Sequence, residues 1–312
     1  MHSRLSVKNE ELQNIYSEFN ATEESLKKDS ESLKEWMEKQ PHLPNVTDNE
    51  FLANFLLRCK NSMERAKKQL DVYYTNRALM PEIFQNRRLD SEKMSMSWKS
   101  LPALSLPKLT ADGDRIWIVK IMDNIKEHVP TGETILEGTT MLMDIHLKCD
   151  RHKSMIVIYD WENMTVTLSA VLFTIMKKFV TLMTEATPLR IKKIYILNMN
   201  PAFEQIVNFS KMFIKKKLAD RLEIWNKENK ELATILPKDI LPSDYGGNEK
   251  SLDELHDDMF LFLNEFRDWI ESEKTVVADL SKKTNVDKCN KEFFGEYGEY
   301  GVEGSFRKIN MD

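Results

Sequence analysis

Residues 155–197 read MIVIYDWENMTVTLSAVLFTIMKKFVTLMTEATPLRIKKIYIL. The stretch opens on a short apolar run, 155–159, and closes on a second one, 191–197. Runs of this length rich in β-branched residues suit strands. Between them Leu168, Val171, Leu172, Ile175, Phe179, Leu182 and Met183 fall on one stripe at helical spacing, and Pro188 ends the pattern. A strand, a long helix and a strand in that order predict a parallel pair joined by a right-handed crossover.

The same reading extends outward. Upstream, the nearly continuous apolar run 116–121 predicts a strand covered on both faces, followed by a helix over 133–149. Downstream, the pattern predicts a helix from Pro201 to about Trp225, a second over 228–235, a turn at LPSDYGG (241–247) and a helix over 251–270. The expected core is therefore α/β with a mostly parallel sheet.

The first 90 or so residues read differently, as short amphipathic helices. Leu12, Ile15 and Phe19 repeat at helical spacing, as do Leu26, Leu33 and Trp36. Prolines 41 and 44 interrupt them. Asp48 can cap a third helix bearing Phe51, Leu52, Phe55 and Leu56, and Ser62 a fourth bearing Met63, Ala66, Leu70 and Tyr73. These make a small bundle. The expected organisation is a helical module over 1–90, an α/β domain over 91–272 that begins with a Pro102, Pro107 and Asp112-Gly113 connector, and a polar tail over 273–312.

Composition narrows the function. The chain has 312 residues, 41% hydrophobic and 30% charged, with a net charge of -5. Such a chain can bury a core without staples. Its three cysteines are odd in number and far apart, so no disulfide framework is available and a reducing compartment is expected. The most apolar long stretch, 166–183, is interrupted by Lys177 and Lys178, and the first residues carry no apolar leader. A soluble, cytosolic chain is expected.

The nine glycines form no G-x-G-x-x-G or Walker A loop, and no G-x-S-x-G elbow is present. His146, Cys149 and His152 are the best metal candidates, but histidines six apart on a helix diverge by about 240°. An exposed helix end with a buried Cys149 is the better reading, and no metal is expected. Asp160, just past a strand end, could be catalytic, but it has no basic or nucleophilic partner nearby in sequence, so a turn role is favoured. No catalysis and no cofactor are expected.

Two features stand out. Between residues 188 and 221 there are eight Lys or Arg against Glu204 and Asp220, a local +6 in an acidic chain. Arg190 and Lys192 share a face of an extended segment, and Lys217 and Arg221 share a face of a helix. If these neighbour each other, four cations converge on a site suited to a phosphorylated headgroup; an ordinary basic patch is equally compatible with the spacing. Nucleic acid fits less well, because the cluster is short, lacks interleaved aromatics and sits in an acidic chain. Second, Phe203, Ile206, Val207, Phe213 and Ile214 fall near one stripe beside these cations, as in a core helix or a helix on a membrane surface. The 17 methionines suit an adaptable apolar cavity.

Segments in a fixed order carry a family likeness. NFLLR (54–58), MERAK (63–67) and LDVYYTNR (70–77) resemble the N-terminal helical module of CRAL-TRIO proteins. PLRIKKIYILN (188–198) looks like that family's central strand, followed in order by NPAF (200–203), FIKKK (213–217), Arg221 and LPSDYGG (241–247). The likeness covers roughly residues 10–272 and is nearest to the branch of the α-tocopherol transfer protein and cellular retinaldehyde-binding protein; GVEGSFRKI (301–309) resembles the tails of arthropod members.

The resemblance implies a lipid-binding α/β domain whose apolar cavity lies under a movable helical lid. It places four phosphoinositide-binding cations on Arg190, Lys192, Lys217 and Arg221, the four that spacing also singled out. It implies cavity walls at Phe179, Leu182, Met183, Ile191 and Ile194, and a lid from 201 to about 221 with Phe203, Ile206, Phe213 and Ile214 turned inward or toward lipid. Members often carry Gly where this chain has Asn163; Asn tolerates a left-handed turn. The region 122–153 departs most from the pattern.

The function expected is a cytosolic carrier of one hydrophobic small molecule, tocopherol-, retinoid- or carotenoid-like, that releases its cargo during transient contact with phosphoinositide-bearing membranes. The alternative is a non-carrier, lipid-sensing adaptor that recruits a protein through its acidic tail, where residues 249–312 carry 16 Asp or Glu against 9 Lys or Arg. A lipid-modifying enzyme using Asp160 is the least favoured.

Overall fold

A computed structural model describes residue 5 and residues 7–225 and 232–283. The leading helices are α1 (Asn9–Glu18), α2 (Glu23–Glu38), α3 (Asn49–Arg58), α4 (Met63–Leu79), the single turn α5 (Pro81–Phe84) and α6 (Glu92–Ser100). Local chemistry explains their starts. The Thr22 and Asp48 side chains accept from the backbone N–H groups of Ser25 (3.0 Å) and Phe51 (2.9 Å), three residues on. Ser62 occupies the expected cap position before α4, but its hydroxyl makes no capping bond. The apolar faces of α1 to α4 meet in one core that includes Leu26, Leu33, Leu52, Phe55 and Leu70.

The sheet is ordered β1-β2-β3-β4-β5. Strands β2 (Asp114–Lys120), β3 (Ser154–Asp160), β4 (Ile191–Leu197) and β5 (Leu222–Trp225) are parallel, whereas β1 (Ala103–Ser105) adds antiparallel at the edge beside β2. The crossovers are α7 (Gly132–Cys149), α8 (Val166–Thr181), which ends in a π turn (Leu182–Ala186), and the short helices between residues 201 and 219 that join β4 to β5.

Several expectations change. The connector over 91–113 is partly ordered into α6 and β1. The single helix expected over 201–225 is instead a short turn (Pro201–Phe203), α9 (Glu204–Lys211), α10 (Lys216–Ala219) and β5. The chain turns sharply at 212–215 and then pairs residues 222–225 with β4, because a sheet edge offers backbone partners that a longer helix could not reach. Of the helix expected over 228–235, residues 226–231 lie outside the described residues, and Leu232–Thr234 forms a 3-10 turn. After α11 (Leu252–Asn264) and α12 (Arg267–Ser272), the start of the supposed tail packs back on the bundle. There the Ala278 N–H donates to the Tyr74 carbonyl at 3.1 Å, and Lys283 pairs with Asp71 at 2.5 Å.

Asn163 does not take the left-handed backbone expected of it; Asn198, after β4, does, with φ 54°. The turn at 241–247 depends on its glycines. Gly246 has φ 76°, and a Cβ on Gly247 would lie 2.0 Å from the Leu241 carbonyl oxygen.

By length and composition the segment Val166–Ala186 could cross a membrane, with mean hydropathy 1.6 despite its two lysines. In the fold it is a crossover helix with Leu168, Ile175, Met176 and Val180 buried against the domain.

The bundle is pinned to the sheet domain through α7. The Arg58 guanidinium donates to the carbonyls of His146 (3.0 Å) and Asp150 (2.9 Å) and faces His152 Nε2 at 2.5 Å. Asn54 donates to the Lys148 carbonyl at 2.6 Å. One turn deeper, Asp144 accepts from Tyr73 (2.6 Å), Arg77 (2.6 Å) and Arg87. Four residues of the segments 54–58 and 70–77 that carried the family likeness, Asn54, Arg58, Tyr73 and Arg77, are thus among those that hold the two modules together.

Candidate functional site: an apolar cavity beside a basic corner

Side chains alternate across a strand, so one face of the sheet presents Ala103, Trp117, Val119, Val157, Tyr159, Ile194, Ile196 and Leu222. These residues form the floor of a cavity. Its walls come from α6 (Ser97, Trp98), α7 (Thr134, Ile135, Gly138, Leu142), α8 (Leu168, Leu172, Ile175, Phe179) and α9 (Ile206, Val207, Ser210). The atom-free space between these elements, including the mouth, is about 1500 Å³. No acidic or basic side chain is among the lining residues described.

Four of the five wall positions implied by the resemblance line this space: Phe179, Met183, Ile191 and Ile194. Leu182 does not. The π turn at the end of α8 swings it to a separate small void beside Tyr73, Phe84 and Asp144. Of the four lid positions, Ile206 and Ile214 face the cavity. Phe203 and Phe213 do not line it; Phe213 packs edge-on against Phe209 with ring centroids 5.0 Å apart. Phe209 in turn stacks on Phe173 of α8 at 4.0 Å. Phe173 and Met212 are exposed on this outer surface, Met212 to 74%.

The four cations meet at one corner, where the start of β4 faces the α10–β5 turn, but their states differ. Arg190 lies over the Phe19 ring at 4.8 Å, and its Nη1 is buried without a partner among the described residues. Burial, with Arg221 nearby, lowers its pKa against the pull of Glu18 and Asp114. Lys192 is already engaged by Asp112 (2.8 Å) and Asp114 (2.5 Å), and although burial opposes them these carboxylates raise its pKa. Arg221 donates to the Ile191 carbonyl. Lys217 is exposed.

A fifth cation went unread in the sequence. Lys60, in the left-handed turn between α3 and α4 (φ 60°), has its pKa lowered chiefly by Arg190, then by burial, Arg65 and Lys217. The bundle therefore brings positive charge to the same corner. No spacing rule could have found it, because 130 residues separate Lys60 from Arg190.

The other candidates are structural. Asp160 is buried and accepts from Asn198 (2.8 Å), Tyr245 (2.9 Å) and the Glu162 backbone (3.1 Å), so it organises the ends of β3 and β4. His146 and His152 are not at an exposed helix end. Both are buried and donate Nδ1–H to Asp150, at 2.9 and 2.8 Å, and Cys149 is only half-buried. Arg115 completes the cluster by chelating Asp150 at 3.1 and 2.7 Å. Among the described residues no group of three or more His, Cys, Asp or Glu could hold a metal ion.

Comparison with known proteins agrees with this architecture. Residues 22–94 match the Pinta-like UBA domain and residues 103–247 the CRAL/TRIO domain. The α-tocopherol transfer protein-like proteins of Mus musculus and Homo sapiens are 27% and 26% identical to the chain over 229 residues. The match takes in 72% of this chain and 66% of the length of each relative. Among solved structures, the crystal structure of Sfh5 superposes with a TM-score of 0.50 at 10% identity, over 80% of this chain and 92% of that one, a likeness of fold. A UBA-like helical module ahead of a CRAL/TRIO domain, with these relatives, makes the chain similar to CRAL-TRIO proteins in both of its modules.

Proposed function

We propose that this protein carries one hydrophobic small molecule in the cavity between the sheet and helices α6 to α9, and gives it up at phosphoinositide-bearing membranes. The observation that carries the reading is a large space lined without charge, directly beside a corner where Lys60, Arg190, Lys217 and Arg221 gather. Each 100 Å² of apolar cargo surface removed from water contributes about 2.5 kcal/mol, so a lipid-sized cargo needs few polar contacts to be held. The names of the matched relatives, α-tocopherol transfer protein-like, favour transfer over sensing.

Release follows from the same geometry. Helix α9 and the following turn form one wall of the cavity, and their outer surface exposes Met212 and the Phe173–Phe209 stack. A membrane can cover that surface as the wall moves, while phosphate groups neutralise the basic corner. Lys217 and Lys60, exposed at its rim, are the cations readiest to meet a headgroup. Lys192, held by two carboxylates, contributes less than its position in the sequence implied.

The test is transfer of a fluorescent cargo between vesicles with and without phosphoinositide in the acceptor. Replacing Lys217 and Arg221 by Ala should slow transfer to phosphoinositide vesicles to the rate seen with neutral ones, with cargo retention unchanged. Equal rates for the altered and unaltered chains on phosphoinositide vesicles would refute the role of the corner.

A further inference from the structure

Leu104 and Lys120 follow Ala103 and Val119 on their strands, so they point to the face of the sheet away from the cavity. There α11 lies against β1. A second, smaller hollow opens between them, with about 600 Å³ of atom-free space including its mouth. It sits where β2 ends, and ligands of open α/β sheets commonly bind outside the carboxyl ends of strands. Its apolar walls are Trp98, Pro102, Leu104, Met122 and Leu252, and Trp98 is shared with the larger cavity.

The polar lining sets this hollow apart. Lys99, Lys120, Asn124, Asp253 and His256 reach it from α6, the end of β2, the turn after β2 and α11. Asn124 Oδ1 and His256 Nε2 are both buried without a partner among the described residues. His256 Nδ1 lies 3.9 Å from Asp257, too far for a hydrogen bond to fix the ring. Lys120 lies 4.0 Å from Asp160 and 5.9 Å above the Tyr245 ring, so its N–H donors are not filled by either. Lys99 is exposed at the rim.

Buried polar atoms left unpaired cost free energy, and native structures seldom keep them without a reason. Apolar walls with a few convergent polar groups suit a small amphiphile. Two lysines against one carboxylate leave an excess of one positive charge in the lining, which suits a monoanion.

We propose that this hollow is a second ligand site, separate from the cargo cavity, for a small aromatic carboxylate that also bears a hydroxyl or N–H group. The carboxylate meets Lys99 and Lys120 and accepts from His256 Nε2–H. The ring lies along Trp98 and Leu104, and the hydroxyl or N–H donates to Asn124 Oδ1.

The probe is 4-hydroxyphenylacetate, with its uncharged amide and with phenylacetate for comparison, each titrated by calorimetry against the full chain. The hydroxy acid should bind about fivefold more tightly than either comparison compound. Lys99→Met alters an exposed side chain and should weaken the acid about three- to fivefold while leaving the amide unchanged. His256→Phe keeps a ring and should weaken the acid about three- to tenfold. Unchanged thermal unfolding shows that each variant folds, and Lys99→Met carries the test alone if His256→Phe does not. Undiminished affinity in Lys99→Met would mean that the probe is held elsewhere and would overturn the site. An amide that binds as well as the acid would overturn the ligand class, and no saturable binding at millimolar concentration would overturn both. None of these results bears on the carrier reading, which concerns the other face of the sheet.

Discussion

Acidification should loosen the seam between the helical bundle and the sheet domain, and the cluster around Asp150 sets the size of the effect. His152 is neutral there: its Nδ1–H donates to Asp150, and its Nε2 faces the Arg58 guanidinium at 2.5 Å. A second proton would set two cations against each other in a buried site. Burial first, then Arg58, pushes the His152 pKa down to about 3, and burial lowers that of His146 as well. In the unfolded chain both titrate near 6.5. Below that pH the unfolded state takes up protons that the folded state refuses, so the stability these residues contribute is complete above about pH 6.5 and is lost as pH falls toward the folded pKa. Asp150 works the same way at lower pH; although burial opposes it, Arg115 and the two histidines hold its carboxyl well below the usual range, so it matters only under about pH 4.

At pH 5, about 1.5 units below the unfolded value, His152 removes about 2 kcal/mol, and His146 acts in the same direction. That is a large part of a typical folding free energy of about 5–15 kcal/mol. Urea unfolding followed by tryptophan fluorescence at several pH values between about 7.5 and 5 measures it directly. The midpoint should fall steadily with pH, and His152→Gln should flatten that slope whatever it does to the stability at neutral pH. A midpoint flat across the range, or a slope untouched in the variant, would refute the reasoning.

The other predictions concern packing. Asp144→Asn should destabilise the fold by about 3–5 kcal/mol, because it leaves Arg77 and Arg87 buried without their carboxylate; a urea midpoint within experimental error of the unaltered chain would contradict this. Gly247→Ala should lower the melting temperature by several degrees, since the new methyl group meets the Leu241 carbonyl and the backbone must give way. Unaltered thermal unfolding would show that the turn after Leu241 is looser than the geometry requires. With the vesicle-transfer experiment, these test the corner and the frame separately.

The strands were legible because their signal is local: apolar runs at 116–121, 155–159 and 191–197 differ from the polar stretches around them. The helical bundle was legible for the same reason, and 54–58 and 70–77 also pointed to residues that turned out to bind α7. What failed was continuity. The stripe through Phe203, Ile206, Phe213 and Ile214 looked like one helix, yet the chain breaks at 212–215 and gives its last four residues to the sheet. Helical spacing in the sequence could not register that the open edge of β4 would compete for those residues.

From the sequence alone follow the parallel sheet, the helical module before it and the excess of positive charge near residue 190, since each depends on the order of neighbouring residues. Only the tertiary structure decided that the space above the sheet is left unfilled, that Leu182 turns elsewhere, and that Lys60 joins the basic corner while Asp112 and Asp114 occupy Lys192. A cavity is a place where distant elements fail to touch, and a charge cluster a place where they happen to meet. Both are set by long-range packing, which no short window of sequence contains.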